Sequence, residues 1–542
     1  MDFAKAFDTI CREALLYKIW QLGITGRFFK CIEHMYSHST AKIKLLNKLS
    51  KKIDVLVGTE QGHPMSPELF KCYIHELSEV LNSELGCQSP TLDGINVSHL
   101  LWADDLVLLG LNPQSLQKLL NVLLKYCTEW GLSVNIEKTA VMVFNRSGRL
   151  LKESKEFTYG QIEVPSAREY CYLGITFTLT GSFARAQQHL KQKGMRAYFS
   201  LNKSTDFRAM KKPILFKLFD ALVLPVSTYG CQVWAPESVL FKEFCQKVSP
   251  AGKRLTALAK DPAESLHLSF LKWILGVGKR TSNATIWGDC GRVPVIITIL
   301  KQIFRYLRRL QNLANEGGQS LAVLAFKEQR HLNLKWYRGI AGMFQVATKK
   351  ALSEREIVSP PFIQLQMKHH FIEVWDEDRR FNRKLSFYNI LKSDFEVESY
   401  LYEGLQYKDL VSIARLRTSS HKLRVETGRY GANRAKLDKR ACPFCTDLDA
   451  AEYLSELPYF KPLIEDELHV LRTCPAYHDL RSNLSNSLKT YLFADLAQAF
   501  RHTKELGRYV RKIWSRRFPK KKEQSKDKSN EKKSLKETSQ KE

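Results

Sequence analysis

An α+β fold, a sheet with helices packed on one face, is predicted for the first third of this 542-residue chain, followed by a mainly helical remainder. Three observations predict it. Helical and strand periodicities alternate through the first 180 residues, helical and basic segments dominate from about residue 183, and a Cys/His cluster occupies 442–474. The length allows roughly three or four domains, and 44% hydrophobic residues suffice for a sizeable core. A net charge of +28 calls for a polyanionic partner, of which nucleic acid is the usual one. The alternative is a soluble basic protein with an adhesive tail. The tail cannot carry the excess, because residues 519–542 hold nine lysines against five acids. Twelve cysteines scattered over a long chain, with no secretory pattern at the start, predict reduced thiols in the nucleus or cytoplasm. No apolar stretch reaches the length of about 18 residues expected of a membrane span, so no membrane partner is expected, and nothing indicates an oligomeric state.

The elements follow in order. In "DTICREALLYKIWQLGI", Leu15, Leu16, Ile19 and Leu22 recur at helical spacing. "SPELFKCYIHELSEVL" offers Ser66 as N-cap, Pro67 at the first helical position and one apolar face from Leu69 to Leu81. "NPQSLQKLLNVLLKYCTEWG" repeats the device, opening at Asn112 and Pro113 and closing at Gly131. Between them lie the strand-type runs "IDVLVG", "HLLWADDLVLLG", "AVMVF" and "YCYLGITF". Beyond residue 183, "FARAQQHLKQKGMRAYFSLNK" and "LKQIFRYLRRLQNLANEG" are helical and basic. The Lys/Glu/Ser-rich end is expected to be disordered.

Asp104 and Asp105 lie side by side in the apolar run 99–110. Burying a carboxylate costs several kcal/mol or more unless its charge is compensated. A strand–turn–strand hairpin can hold two acids if a cation takes up their charge, and Mg²⁺ prefers carboxylate and phosphate oxygens. Two such ions about 3.5–4 Å apart form the clamp used in nucleotidyl transfer. That clamp needs another carboxylate, for which Asp2 is the candidate. The competing reading is an exposed β-turn with two Asp at its corners.

A second constellation, Cys442, Cys445, His469 and Cys474, has the spacing C-x₂-C-x₂₃-H-x₄-C. Three thiolates and one imidazole suit one tetrahedral structural Zn²⁺. Chance clustering is the alternative, but none of the other nine cysteines forms a C-x₂-C pair. His478 is a second possible ligand, and His469 is preferred for its spacing to Cys474. Arg424, Arg429, Arg434, Lys436, Lys439, Arg440, Arg472 and Arg481, with Tyr430 and Tyr477 among them, suit backbone contact plus base stacking; a solvated basic surface would look the same.

In order and spacing, "DFAKAFDT", "GTEQGHPMSPELF", "LLWADDLVLLG", "GLSVNIEKTAVMVF" and "YLGITF" resemble the palm of LINE-type reverse transcriptases, from retrotransposons without long terminal repeats. "FDALVLPVSTYGCQVWAP" and "SFLKWILGVGKRTSNA" resemble that group's thumb more loosely, and the Cys/His segment resembles its C-terminal zinc knuckle. The resemblance implies a palm at 1–180, a helical thumb at 181–330, a helical linker at 331–440, a CCHC zinc knuckle at 441–482, a helical segment at 483–518 and a disordered basic tail at 519–542. It implies RNA-templated DNA synthesis from a 3′-hydroxyl, with an RNA template, a DNA primer, deoxynucleoside triphosphates and two Mg²⁺ ions. By position it makes Asp2, Asp104 and Asp105 the catalytic, metal-holding acids. Phe7 becomes the gate against a 2′-hydroxyl, Gln61 a neighbour of the incoming nucleotide, and Lys138 the proton donor to pyrophosphate. Leu173 and Gly174 fall where the primer is gripped. Trp102, Glu60 and His63 depart from the family's usual residues. Since little chain precedes Asp2, the fingers, the start of the palm strand and any endonuclease are expected to lie outside the sequence. A truncated copy, impaired in extension, is the resulting expectation. The competing reading is a non-catalytic nucleic-acid-binding remnant.

Overall fold

The computed structural model describes the chain except residues 61, 85, 151–156, 205–208, 238–243, 245–249, 354–358, 431–433, 447–462 and 520–542. Gln61 and nearly all of the basic tail therefore lie outside the described residues. The chain divides into two compact units, Met1–Ala186 with Leu310–Leu334, and Gln187–Arg309 with Lys335–Glu542.

In the first unit, helix Arg12–Gln21 packs against helices Gly26–Ser37 and Ser66–Tyr73. Helix Pro113–Glu129 forms as its sequence requires. Asn112 accepts a hydrogen bond from Ser115 N at 2.8 Å, Pro113 fits the first turn, and Leu119, Leu120, Leu123 and Tyr126 face the core. Each such apolar side chain contributes roughly 1.5–3 kcal/mol on burial. Phe3, Leu106, Phe157 and Val164 close the same core from the strand side.

Two expectations are modified. The 66–83 segment is two helices, Ser66–Tyr73 and Leu77–Ser83, separated by a short turn in which Leu77 N bonds Ile74 O at 3.0 Å. The break brings Glu76 to the Lys18 ammonium, 3.2 Å away. Lys18 is fully buried, 3.4 Å from the Trp130 ring centroid and bonded to Tyr126 Oη at 2.9 Å. Burial pulls its pKa down against the pull of Glu76. In place of one sheet, the described residues form six two-stranded antiparallel ribbons. The longest are His99–Trp102 with Asp105–Leu108 and Glu169–Tyr172 with Ile175–Thr178. The 105–108 strand is met on its other edge only by a bridge from Asp2, too short to extend the ribbon into a sheet. The "AVMVF" run makes only one bridge, Val141 to Ser166.

The second unit is mainly helical. Its core holds Arg417, whose Nε and Nη2 each lie 3.1 Å from an Asp289 oxygen, with Glu398 2.8 Å away. Tyr400 Oη donates to Asp289 at 2.8 Å. Gly288 sits where an added Cβ would lie 2.4 Å from Tyr388 Oη and 2.7 Å from Trp375, so only glycine permits this approach. Among the described residues no single helix is long and apolar enough to cross a membrane.

Candidate active site and metal centre

The 99–108 hairpin turns through Ala103 and Asp104, with Ala103 at φ +52°, a conformation that costs a non-glycine residue energy and persists where surroundings enforce it. That turn sets Asp104 and Asp105 side by side, both half-buried. Asp2 is joined to Asp105 by a backbone bridge, and Phe3 N donates to Asp104 O at 3.3 Å. On the other side Ala4 N bonds Ser133 O and Asn135 N bonds Asp2 O, both at 2.8 Å. Residues 1–4 thus run between the hairpin and the 133–135 segment, and the three acids come to one place from sequence-distant elements.

Lys138 reaches the same place. Asn135 Oδ1 accepts from Lys138 N at 3.3 Å, which closes a short turn, and Lys138 Nζ stands 3.0 Å from Asp2 Oδ2. The hydrogen bond to Asp2 raises the Lys138 pKa. Burial, then the charges of Asp104 and Asp2, push the Asp105 carboxyl up. Tyr170 Oη donates to Lys138 O at 2.8 Å, so the 169–178 hairpin docks on the lysine turn. Burial, then Asp105, raises the pKa of both Tyr170 and Tyr172. Asn135 and the two tyrosines are site residues that sequence reasoning did not single out. Asn135 lies in the stretch "GLSVNIEKTAVMVF", three residues before Lys138, and the tyrosines follow only from the docked hairpin.

Phe7 lies half-buried with its ring 5.3 Å from Phe70, on a loop fixed by Thr59 N donating to Phe7 O at 2.7 Å. Leu173 and Gly174 form the turn of the 169–178 hairpin at φ +46° and +81°. Trp102, beside the acids, is 66% exposed. Carboxylates are the ligands a hard divalent cation prefers, but the oxygens of Asp2, Asp104 and Asp105 do not form a group mutually within 4.8 Å in this structure. As folded, Lys138 compensates Asp2.

The Cys/His group is gathered more tightly. Among the described residues, Cys442, Cys445, His469 and Cys474 are the group with three or more ligand atoms mutually within 4.8 Å, and all four are buried. Cys442 and Cys474 sulfurs are 3.9 Å apart, Cys445 and Cys474 sulfurs 4.0 Å, and Cys445 Sγ is 3.4 Å from His469 Nε2. Zinc–sulfur bonds of about 2.3 Å put tetrahedral ligands about 3.8 Å apart, so the spacing fits. A hydrogen bond with Cys474 pulls the Cys442 thiol down to about 4, against the cost of burial. Burial pushes Cys445 up to about 11, and the bond to Cys442, then burial, raises Cys474. A bound divalent cation would supply the charge that lets all three thiols ionise. Asp466 caps the His469 helix at 2.7 Å, and Thr473 Oγ1 lies 3.0 Å from His469 Nδ1, which leaves Nε2 facing the sulfurs. His478 is not in the group.

The arginines around this group are mostly braces. Arg440 donates to Ala435 O and Val425 O, Arg481 to Cys474 O at 2.6 Å, and Arg472 to Leu492 O at 2.5 Å. Arg429 pairs with Glu426 at 2.9 Å. Tyr477 is buried. Arg517 grips buried Glu465 at 2.5 Å, anchoring helix Thr503–Arg517 to the same segment.

Residues 1–177 match the family described as reverse transcriptase (RNA-dependent DNA polymerase). A putative transposon-derived protein of Caenorhabditis elegans is 32% identical over 147 residues, 26% of this chain and 50% of that protein. A retrovirus-related Pol polyprotein from the type-1 retrotransposable element R2 of Popillia japonica is 30% identical over 237 residues, 42% of this chain and 39% of the polyprotein. A Pol polyprotein from a type-2 retrotransposable element of Drosophila melanogaster is 28% identical over 187 residues, 33% of this chain and 17% of the polyprotein. The chain spans half or less of the length of these relatives. Residues 1–177, about a third of the chain, are thus similar to the reverse transcriptase family, and the relatives include Pol polyproteins of retrotransposable elements.

Proposed function

We propose that this chain is an RNA-directed DNA polymerase of such a retrotransposon, extending the 3′-hydroxyl of a DNA primer along an RNA template with deoxynucleoside triphosphates. The observation that carries the proposal is the convergence of Asp2, Asp104, Asp105 and Lys138 at one turn, within the residues that match the family. Bound Mg²⁺, two ions by the family's chemistry, would lower the charge barrier between the attacking hydroxyl and the phosphates. Asp2, Asp104 and Asp105 would hold it. Lys138, kept protonated by its position, would hold a proton near the departing pyrophosphate, which requires it to leave Asp2. Phe7 would close the site to a 2′-hydroxyl, Gln61 would border the nucleotide, and the Leu173–Gly174 turn would grip the primer. The Cys/His group would hold one structural Zn²⁺. Action in the nucleus or cytoplasm suits the free state of the described cysteines.

One observation favours a second reading, a non-catalytic nucleic-acid-binding protein: Lys138 occupies Asp2 at 3.0 Å. Run-off synthesis separates the two. Full-length protein, a primed RNA template, Mg²⁺ and labelled deoxynucleotides are expected to give a weak DNA product complementary to the template. Template binding with no product under any divalent cation would favour the second reading.

A further inference from the structure

Of the basic residues that the sequence places around the Cys/His group, Arg424, Arg440, Arg472 and Arg481 donate to backbone carbonyls and Arg429 pairs with Glu426, while Arg434, Lys436 and Lys439 stay exposed with no ion pair among the described residues; a second group of free charge lies elsewhere in the second unit. It gathers around a cavity of about 850 Å³ between helix Tyr407–Arg417, the 420–422 segment and the end of helix Thr503–Arg517. Lys408, Arg415 and Lys422 stand on its rim. All three are exposed, and none has an acidic partner among the described residues. Arg415 uses Nε on Gly276 O at 2.9 Å. No acid among the described residues lines it, and two acids behind its lining residues are paired: Asp409 with Arg511 at 2.6 Å, and Glu467 with His421 at 2.8 Å.

The same cavity carries aromatic rings in sequence. His421 and Trp514 have centroids 5.7 Å apart and planes 32° apart, and Trp514 and Phe518 are 6.0 Å and 31° apart. Trp514 and Phe518 are half-buried and line the cavity, so they offer partly open faces, while the His421 side chain is buried and backs the Trp514 ring. Glu467 fixes the His421 ring, and Trp514 Nε1 points to Ser412 O at 3.4 Å. A row of tilted rings beside unpaired cations suits unstacked bases with their phosphates. Stacking is tolerant of sequence because every base has a π-face, while phosphates follow the charge. The volume falls in the range of about 300–1,000 Å³ typical of pockets that enclose a ligand, which accommodates a nucleotide unit.

We propose that this cavity is a binding site for single-stranded nucleic acid, with bases on Trp514 and Phe518 and phosphates on Lys408, Arg415 and Lys422. The proposal rests on the nucleic-acid reading above and adds where, in the second unit, a strand is held.

The test is a salt titration of binding by the full-length chain to a labelled oligo(U) strand, with a duplex and polyglutamate as comparisons. The double variant Lys408→Gln/Lys422→Gln is expected to weaken oligo(U) binding. It should also flatten the slope of log affinity against log salt by roughly 0.7 for each phosphate no longer neutralised, about 1.4 in all. Trp514→Leu is expected to weaken binding roughly 5- to 100-fold with the slope unchanged, and Trp514→Phe to restore most of it. Should Trp514→Leu fail to fold, a bromouridine-substituted strand cross-linked to the wild-type chain reports directly: adducts on the peptide holding Trp514 support the site, and their absence overturns it. Wild-type-like binding in these variants, alongside weakening by Lys436→Gln/Lys439→Gln, would overturn it as well. So would polyglutamate that binds with the same dependence on Trp514. Binding that depends on this cavity in a chain that makes no DNA would leave the inference standing and remove the polymerase reading.

Discussion

Replacing Thr473 with valine is a sharp probe of the Cys/His group, because it leaves all four donors in place. Thr473 Oγ1 is 3.0 Å from His469 Nδ1 and 3.4 Å from its own helix's His469 O, so the hydroxyl accepts the ring N–H and donates to the carbonyl. This fixes the tautomer that turns Nε2 to Cys445 Sγ, 3.4 Å away. Loss of such a partner typically costs 10- to 100-fold in metal affinity, about 1.4–2.7 kcal/mol. The assay is competition for Zn²⁺ against a chromophoric chelator at fixed pH, with metal stoichiometry measured on the same preparations. Wild type is expected to hold one Zn²⁺, Thr473→Val one Zn²⁺ more weakly by that factor, and Cys445→Ser none. Unchanged affinity in Thr473→Val would refute the role of the hydroxyl, and stoichiometric zinc in Cys445→Ser would refute the whole donor set. Zinc kept in His469→Ala but lost in His478→Ala would move the fourth ligand to His478.

Arg417→Met strands the buried Asp289 carboxylate beside the Tyr400 hydroxyl, with no cation to balance its charge, and should cost about 3–5 kcal/mol in urea unfolding. Arg417→Met with Asp289→Leu should recover much of that loss, and a loss under about 1 kcal/mol in the single variant would contradict the assignment. Burial lifts the Asp261 carboxyl to about 6 although Ala263 N and Glu264 N both donate to it. Its folded pKa lies above the ordinary value of 3.8, so the folded state binds the proton more readily. This group's contribution to stability should therefore rise as pH falls from about 6 to 3.8, and Asp261→Asn should remove that rise in denaturation curves taken across the window. Phe7→Ala, which opens the loop beside Phe70, should raise incorporation of ribonucleotides relative to deoxynucleotides roughly 10- to 100-fold in primer extension; an unchanged ratio would remove Phe7 as the gate.

Local signals were legible where they acted locally. Helix Pro113–Glu129 carries its cap, its proline and its apolar face within one segment, and the structure keeps all three. The Cys/His group was legible because the C-x₂-C and H-x₄-C spacings place donors on one turn each. What the sequence hid depends on distant partners. The break after Tyr73 answers to Lys18, far away in sequence and buried among aromatic rings. The arginines near the Cys/His group read as free charge, but their carbonyl acceptors come from segments that only folding brings close. The rings at 421, 514 and 518 gave no motif at all, since nearly a hundred residues separate the first from the others. The acids were legible as a hairpin with a partner at Asp2, whereas the Lys138 contact with Asp2 follows from the Asn135 turn.

The central claim is that the acids at the 99–108 turn carry RNA-templated DNA synthesis. Single-nucleotide addition to a DNA primer on an RNA template, in Mg²⁺, tests it with wild type and Asp104→Asn side by side. Charge stabilisation at a metal site is worth several kcal/mol, so Asp104→Asn should slow addition by at least about a hundredfold while primer–template affinity stays within a few-fold. Addition at the wild-type rate in Asp104→Asn would contradict the account.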